Sequence, residues 1–158
     1  WVSLEADKDL NPDGDKDTIA KIVLTADAGL VDGKLAYAKT GKDGGLTALD
    51  NDATTTLLGW NMTANGKADA DYVQAVLGFD ILSNLNLSAN YGNLEYTPDD
   101  DVTAEEEEVY AQLLYKMSKN LSTYVRYGTY TKEVSEVGEG TANINDDVRG
   151  RLQVEYTF

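Results

Sequence analysis

The sequence contains no cysteine and no histidine. Those two absences exclude disulfides, thiolate and imidazole metal sites, and the serine–histidine and cysteine–histidine pairs that activate most hydrolytic nucleophiles. Basic residues are scarce: 13 lysines and arginines stand against 28 acidic residues, and the resulting net charge of −15 repels nucleic acid and other polyanions. No run of about 18 apolar residues is present to form a spanning helix, so any membrane role must use strands. The chain opens without an initiator methionine or a secretory leader and is expected to start inside a longer protein or after processing. Its 158 residues, 42% of them hydrophobic, suffice for one ordinary domain.

What the chain does have is two-residue alternation. In "VRGRLQVEYTF", Val148, Gly150, Leu152, Val154, Tyr156 and Phe158 fall on one face and Arg149, Arg151, Gln153, Glu155 and Thr157 on the other. "LSTYVRYGTY" and "LNLSANYG" behave alike, placing Leu121 and Val125 opposite Tyr124 and Arg126, and Leu85 and Leu87 opposite Asn86 and Ser88. Weaker versions are "TIAKIVLTADA", "KLAYAKTG", "DYVQAVLGFD", "EVYAQLLYKM" and the opening "WVSLEA". The pattern predicts about eight strands of roughly ten residues.

The connections alternate in length. Short turns are expected near 29–33, 81–84 and 117–120, and long acidic loops at 8–17, 42–70, 98–105 and 133–146. A hairpin array with one tight rim and one loopy rim is the pattern of a transmembrane antiparallel β-barrel, built as one domain over residues 1–158 or as the C-terminal half of a larger one. Aromatics are expected to form two girdles at the lipid headgroups, with Phe79, Tyr115, Tyr156 and Phe158 at the short-turn ends and Tyr72, Tyr96, Tyr110 and Tyr130 at the long-loop ends. The inward positions are Lys21, Gln74, Lys116, Arg126, Arg149, Arg151, Gln153 and Glu155, a mixture able to pair in a plugged barrel or to line a wet pore.

The terminal "RLQVEYTF" resembles the last strand of Gram-negative outer-membrane proteins, and "YAQLLYKMSKNLSTYVRYG" resembles the penultimate hairpin of general porins. Together with "ADADYVQAVLGFDILSNLNLSANYGNLEY" and "AYAKTGKDGGLTAL", the chain is similar to the major outer-membrane porins of epsilon-proteobacterial type, relatives of the OprD-like channels. That resemblance implies an outer-membrane location, passive diffusion of small hydrophilic solutes and ions, no catalysed reaction and no required cofactor. It also implies contact with outer-membrane lipid and lipopolysaccharide, assembly as a homotrimer, and an assembly signal at Tyr156 and Phe158 read by the barrel assembly machinery. Porins of this type are longer, with about 18 strands, so this chain would supply the C-terminal portion; an eight-stranded barrel on its own has an interior that its side chains fill.

Two alternatives stay open: a complete eight-stranded barrel acting as an anchor or adhesin, and a soluble, calcium-stabilised extracellular β-domain. The second rests on "DLNPDGDKD", where Asp9, Asn11, Asp13, Asp15 and Asp17 recur at every second position around Gly14. This half-matches a calcium loop, but Ala20 stands where the loop's bidentate glutamate belongs. "GLVDGK" is a hairpin turn rather than a phosphate loop, because Leu35 replaces the magnesium-holding hydroxyl. The runs Asp99–Asp101 and Glu105–Glu108 are expected as solvated loop charge. Within 42–70, "TTTLLGW" is apolar enough to need burial, which makes Leu57, Leu58 and Trp60 a constriction, a latch against a neighbouring subunit, or a short extra strand. All three arginines, Arg126, Arg149 and Arg151, lie on the polar parity of the last two strands, with Arg126 and Arg151 expected about one diagonal step apart on a basic strip facing the acidic residues at 99–108.

Overall fold

The computed structural model describes residues 16–42, 44 and 59–158, together with the short strand at 2–5. Eight strands follow one another in chain order: β1 (Val2–Glu5), β2 (Lys16–Asp27), β3 (Val31–Thr40), β4 (Asp71–Leu82), β5 (Leu85–Asp99), β6 (Val102–Lys116), β7 (Leu121–Glu136) and β8 (Gly140–Tyr156). Each pairs antiparallel with the next in a single meander, and no helix occurs among the described residues. Along the described strands the sheet is open, with β1 and β8 at its edges.

The ladder carries the alternation of each strand into its neighbours. One row joins Leu24, Leu35, Ala75, Tyr91, Val109, Thr129 and Val148; two residues further toward the short turns, the next joins Ala26, Gly33, Leu77, Ala89, Ala111, Tyr127 and Gly150. A third holds Val31, Phe79, Leu87, Leu113, Val125 and Leu152. These rows form one apolar face, and it is open to the surroundings: Leu77 is 60% exposed, Tyr127 66% and Leu152 72%. The opposite face holds the buried residues, among them Ala36, Ala38, Tyr72, Gln74, Leu94, Glu106, Glu108 and Tyr130. The sheet is therefore inside out relative to a water-soluble sandwich, whose apolar faces pack together.

The tight turns lie where alternation ends. Ala28 N–H donates to the Val31 carbonyl at 2.8 Å, Gly29 takes φ of 85°, and the Asp27 carboxylate accepts the Gly29 N–H. Residues 83 and 84 join β4 to β5, and 117–120 join β6 to β7, where Ser118 Oγ accepts the N–H groups of Asn120 and Leu121. At the other rim two expected loops prove to be mostly strand. β5 runs to Asp99 and β6 starts at Val102, so only two residues of 98–105 connect them; β7 and β8 likewise take up 133–146 except for 137–139. The run Glu105–Glu108 is thus ladder rather than loop, and its acidity misled because charge was read without its parity: Glu105 and Glu107 point out, Glu106 and Glu108 in. Val137 N–H donates to the Asp101 carbonyl at 3.0 Å, tying the two projecting hairpins together.

A glycine sets how closely β6 and β7 approach. A Cβ on Gly128 would run into the Val109 carbonyl and the Tyr110 backbone, whereas one on Gly150 would meet nothing nearer than 3.8 Å. Gly128→Val is expected to cost about 2–3 kcal/mol through overpacking, and Gly150→Ala to stay within about 0.5 kcal/mol of the parent, both read from the urea unfolding midpoint.

Candidate functional site

The polar face is covered by the segment 59–70, which lies between β3 and β4 in the chain. Its far end continues the sheet: Thr40 N–H donates to the Ala70 carbonyl at 2.9 Å, and Thr40 Oγ1 accepts the Ala70 N–H and donates to the Lys67 carbonyl, each at 2.8 Å. Its near end sits on β6. The two Glu108 carboxylate oxygens accept the backbone N–H groups of Trp60 and Asn61, each at 2.8 Å, and Glu108 is 1% exposed. Backbone contact this close needs small residues. A Cβ on Gly59 would collide with the Glu108 carboxylate and the Tyr72 hydroxyl, and one on Gly92 would stand 3.0 Å from Met62 Cε.

Two residues along β6, Glu106 forms a second anchor. It meets Lys67 Nζ at 2.6 Å, Lys132 Nζ at 3.3 Å and the Tyr96 hydroxyl at 3.0 Å. Tyr96 accepts from Lys132 at 2.8 Å while its ring lies 3.6 Å from Lys67 Nζ, so two ammonium groups share one carboxylate and one aromatic ring. A third anchor crosses to β8: Arg149 Nη1 donates to Asn61 Oδ1 at 2.8 Å, with Arg149 also held by Asp147 at 2.7 Å and lying over the Tyr130 ring at 4.7 Å.

Deeper toward the short turns lies Arg126. Its Nε donates to Gln112 Oε1 at 2.5 Å, and its guanidinium sits 4.6 Å from the Tyr124 ring, 5.5 Å from Tyr110 and 5.9 Å from Trp60. Trp60 in turn meets Tyr110 edge-to-face at 5.3 Å. Arg151 pairs directly opposite Arg126 in the ladder rather than diagonally, since β7 and β8 are in register at that point. No carboxylate lies within salt-bridge distance of either among the described residues; Gln153 instead links the Tyr124 hydroxyl to Glu155. The expected facing of the arginines by the acidic residues at 99–108 is not seen among the described residues: Arg149 pairs with Asp147 on its own strand. Glu106 is held by lysines and Glu108 by backbone N–H groups.

Ladder pairing places Lys21, Gln74, Lys116, Arg126, Arg149, Arg151, Gln153 and Glu155 on this one face, Lys116 being opposite Ser122 at the short-turn end. Tyr156 and Phe158 project from the other face, edge-to-face at 5.1 Å, the face on which Tyr115 and Phe79 are also exposed. Tyr72, Tyr96, Tyr110 and Tyr130 do not form an outward girdle: their even-numbered parity turns them inward, where each is at most 9% exposed. Of the calcium-loop residues, Asp9, Asn11, Asp13 and Asp15 lie outside the described residues, and Asp17 pairs with Leu4 in the β1–β2 ladder. Leu57 and Leu58 also lie outside them. The sequence reading missed Glu106, Glu108, Lys67 and Asn61. For the two glutamates a usable signal existed, because Glu106 and Glu108 share the parity of Tyr110 and Gln112.

The fold and this face define a class: an all-β antiparallel meander with an exposed apolar face and a polar face roofed by its own connecting segment. The chain matches no known family model, no curated protein and no solved structure.

The three anchors differ in burial and so in expected worth. Glu106→Gln, which leaves Lys67 and Lys132 sharing a neutral amide, is expected to lower stability by about 2–4 kcal/mol. Asp147→Asn, at a solvent-screened pair, should cost far less than Glu106→Gln. Urea unfolding of the two variants beside the parent measures both; equal losses would contradict this ranking.

Proposed function

We propose that this chain forms wall of an outer-membrane β-barrel that passes small hydrophilic solutes and ions by diffusion, with the polar face as lumen and the apolar face against lipid. The observation that carries this reading is the inversion of the sheet. Its exposed face is apolar in successive rows from Leu24–Val148 to Val31–Leu152, and beyond them toward the long hairpins it becomes charged at Lys39, Asp71, Glu95, Glu105 and Glu133. On β8 the outward residues Val148 to Phe158 cover ten steps. That is about 33 Å along the strand, or about 25 Å of bilayer for a strand tilted by about 40°. A hydrocarbon core asks for a band of that height, and a tilted strand with all backbone groups laddered satisfies it.

The open edges at β1 and β8 support participation in a larger closed sheet, with further strands completing the wall. In that setting the residues 59–70 narrow the lumen toward the long hairpins, Arg126 and Arg151 form a basic strip, and the resemblance to epsilon-proteobacterial porins supplies the trimer, the lipopolysaccharide contact and the assembly role of Tyr156 and Phe158. One observation favours a second reading, an eight-stranded barrel serving as an anchor: Trp60, Met62 and Ala64 already fill much of the polar face. Conductance separates the two readings, since a filled eight-stranded barrel does not conduct.

Single-channel recording in planar bilayers tests the proposal. In the intact porin, the parent should conduct, and Arg126→Gln with Arg151→Gln should move the reversal potential in a salt gradient toward stronger cation preference, the shift shrinking at high salt as screening grows. An absence of conductance contradicts the channel. An unchanged reversal potential at low salt in a conducting variant contradicts the lumenal placement of the arginines.

A further inference from the structure

The inward carboxylates Glu106 and Glu108 are the only acidic side chains that are fully buried among the described residues, and both are occupied by the same segment. Glu108 receives two backbone N–H groups from Trp60 and Asn61, and Glu106 receives Lys67. The segment spends its donors on the wall's negative charge while laying Trp60 beside the wall's positive charge at Arg126. Nothing covalent holds it there. Its near end rests on Glu108, on the Asn61–Arg149 hydrogen bond and on the gap that Gly59 leaves for the Glu108 carboxylate and the Tyr72 hydroxyl. The Tyr72 hydroxyl is buried with no hydrogen-bond partner, so the docked arrangement leaves one polar group unsatisfied in the middle of its contact surface. An unpaired buried hydroxyl in the contact lowers what undocking of the segment costs.

We propose that residues 59–67 are a latch that masks the two buried inward carboxylates, Glu106 and Glu108, and that Glu108 is the positioning residue that closes it. Docked, the segment neutralises Glu106 and Glu108, while Arg126 and Arg151 have no carboxylate within salt-bridge distance among the described residues. Released, it takes Lys67 away from Glu106 and the N–H donors away from Glu108, and the lumen turns toward cations although no residue has changed its charge. Selectivity is thereby set by the position of this segment rather than by the composition of the wall alone. This deepens the channel reading and rests on it.

Gly59→Val tests the latch because it adds no charge and removes none, yet its side chain occupies the space of the Glu108 carboxylate and the Tyr72 hydroxyl. The background carries Trp1→Phe, which leaves Trp60 as the one tryptophan of these 158 residues, with any tryptophan of further strands replaced by phenylalanine likewise. In detergent-solubilised or vesicle-reconstituted protein, acrylamide should quench Trp60 weakly in the parent and strongly in Gly59→Val. In bilayers the same variant should raise the ratio of potassium to chloride permeability by about threefold at low salt, the scale expected when a unit charge about 10 Å from a permeating ion becomes available in water. Glu108→Leu also releases Trp60 but leaves one carboxylate fewer to uncover, so its quenching should match Gly59→Val while its permeability ratio rises less. Should Gly59→Val fail to fold, Glu108→Leu still decides the point through Trp60. Strong quenching in the parent overturns the docked latch whether or not the protein conducts. Release of Trp60 with an unchanged permeability ratio overturns the masking and leaves the channel standing. A shielded Trp60 in a protein that never conducts overturns the channel and the masking together, while the docking itself survives.

Discussion

Antiparallel register commits every residue of β2 to β8 to one of two faces, and the commitment is shared across the ladder. Gly92 opposite Glu108, Glu108 opposite Tyr130 and Tyr130 opposite Asp147 form a single inward row; slipping any one pairing by a residue would turn a carboxylate outward among leucines and a leucine inward among carboxylates. The cost on either side is large, because an unpaired charge in apolar surroundings and an unpaired polar group in a packed interior are both strongly unfavourable. Faces this unlike therefore fix the register more firmly than the turns do. The extra residue Ile144 on β8, at the register shift opposite Lys132 and Glu133, falls in the projecting hairpin beyond the apolar rows, where a change of face costs least.

The inward face is polar, yet it is not left to solvent. Carboxylates of β6 take their partners from a segment 39 to 48 residues earlier in the chain, and the arginines take theirs mostly from amides and aromatic rings. This division separates charge along the strand direction: neutralised acids toward the long hairpins, arginines without carboxylates toward the short turns. A wall arranged in this way presents a field to a passing ion that depends on how the connecting segment lies, which links the packing of Gly59 and Trp60 to the selectivity proposed for the channel.

Much of this architecture was legible in the sequence because strands write their faces at period two. The alternation from Val148 to Phe158, the inward placement of Arg126 beside Tyr124, and the turns at 83–84 and 117–120 all follow from local pattern alone. Where reading failed, polarity was taken for irregular structure. Beyond the apolar rows both faces of a strand are polar, so Glu105–Glu108 and 133–136 kept their period two while losing their hydrophobic contrast. The tyrosines misled in the opposite sense: their chemistry suits a headgroup girdle, but their even-numbered parity places them inside. No local signal announces the pairing of Glu108 with the backbone of Trp60 and Asn61, since a backbone donor leaves no mark in composition. Gly59 next to Trp60 is the only hint, and it becomes one only when the close approach is seen.

The proposed channel depends on the apolar face meeting lipid. Because the chain has no cysteine, single cysteines can be placed along β7 at Tyr124, Val125, Arg126 and Tyr127 and spin-labelled in vesicles. Collision with oxygen, which concentrates in the bilayer, and with a water-soluble nickel chelate then reports the surroundings of each position. The inside-out sheet predicts strict alternation, with oxygen favoured at Val125 and Tyr127 and disfavoured at Tyr124 and Arg126. Equal exposure to the nickel chelate at all four positions, or alternation with the opposite phase, would contradict it.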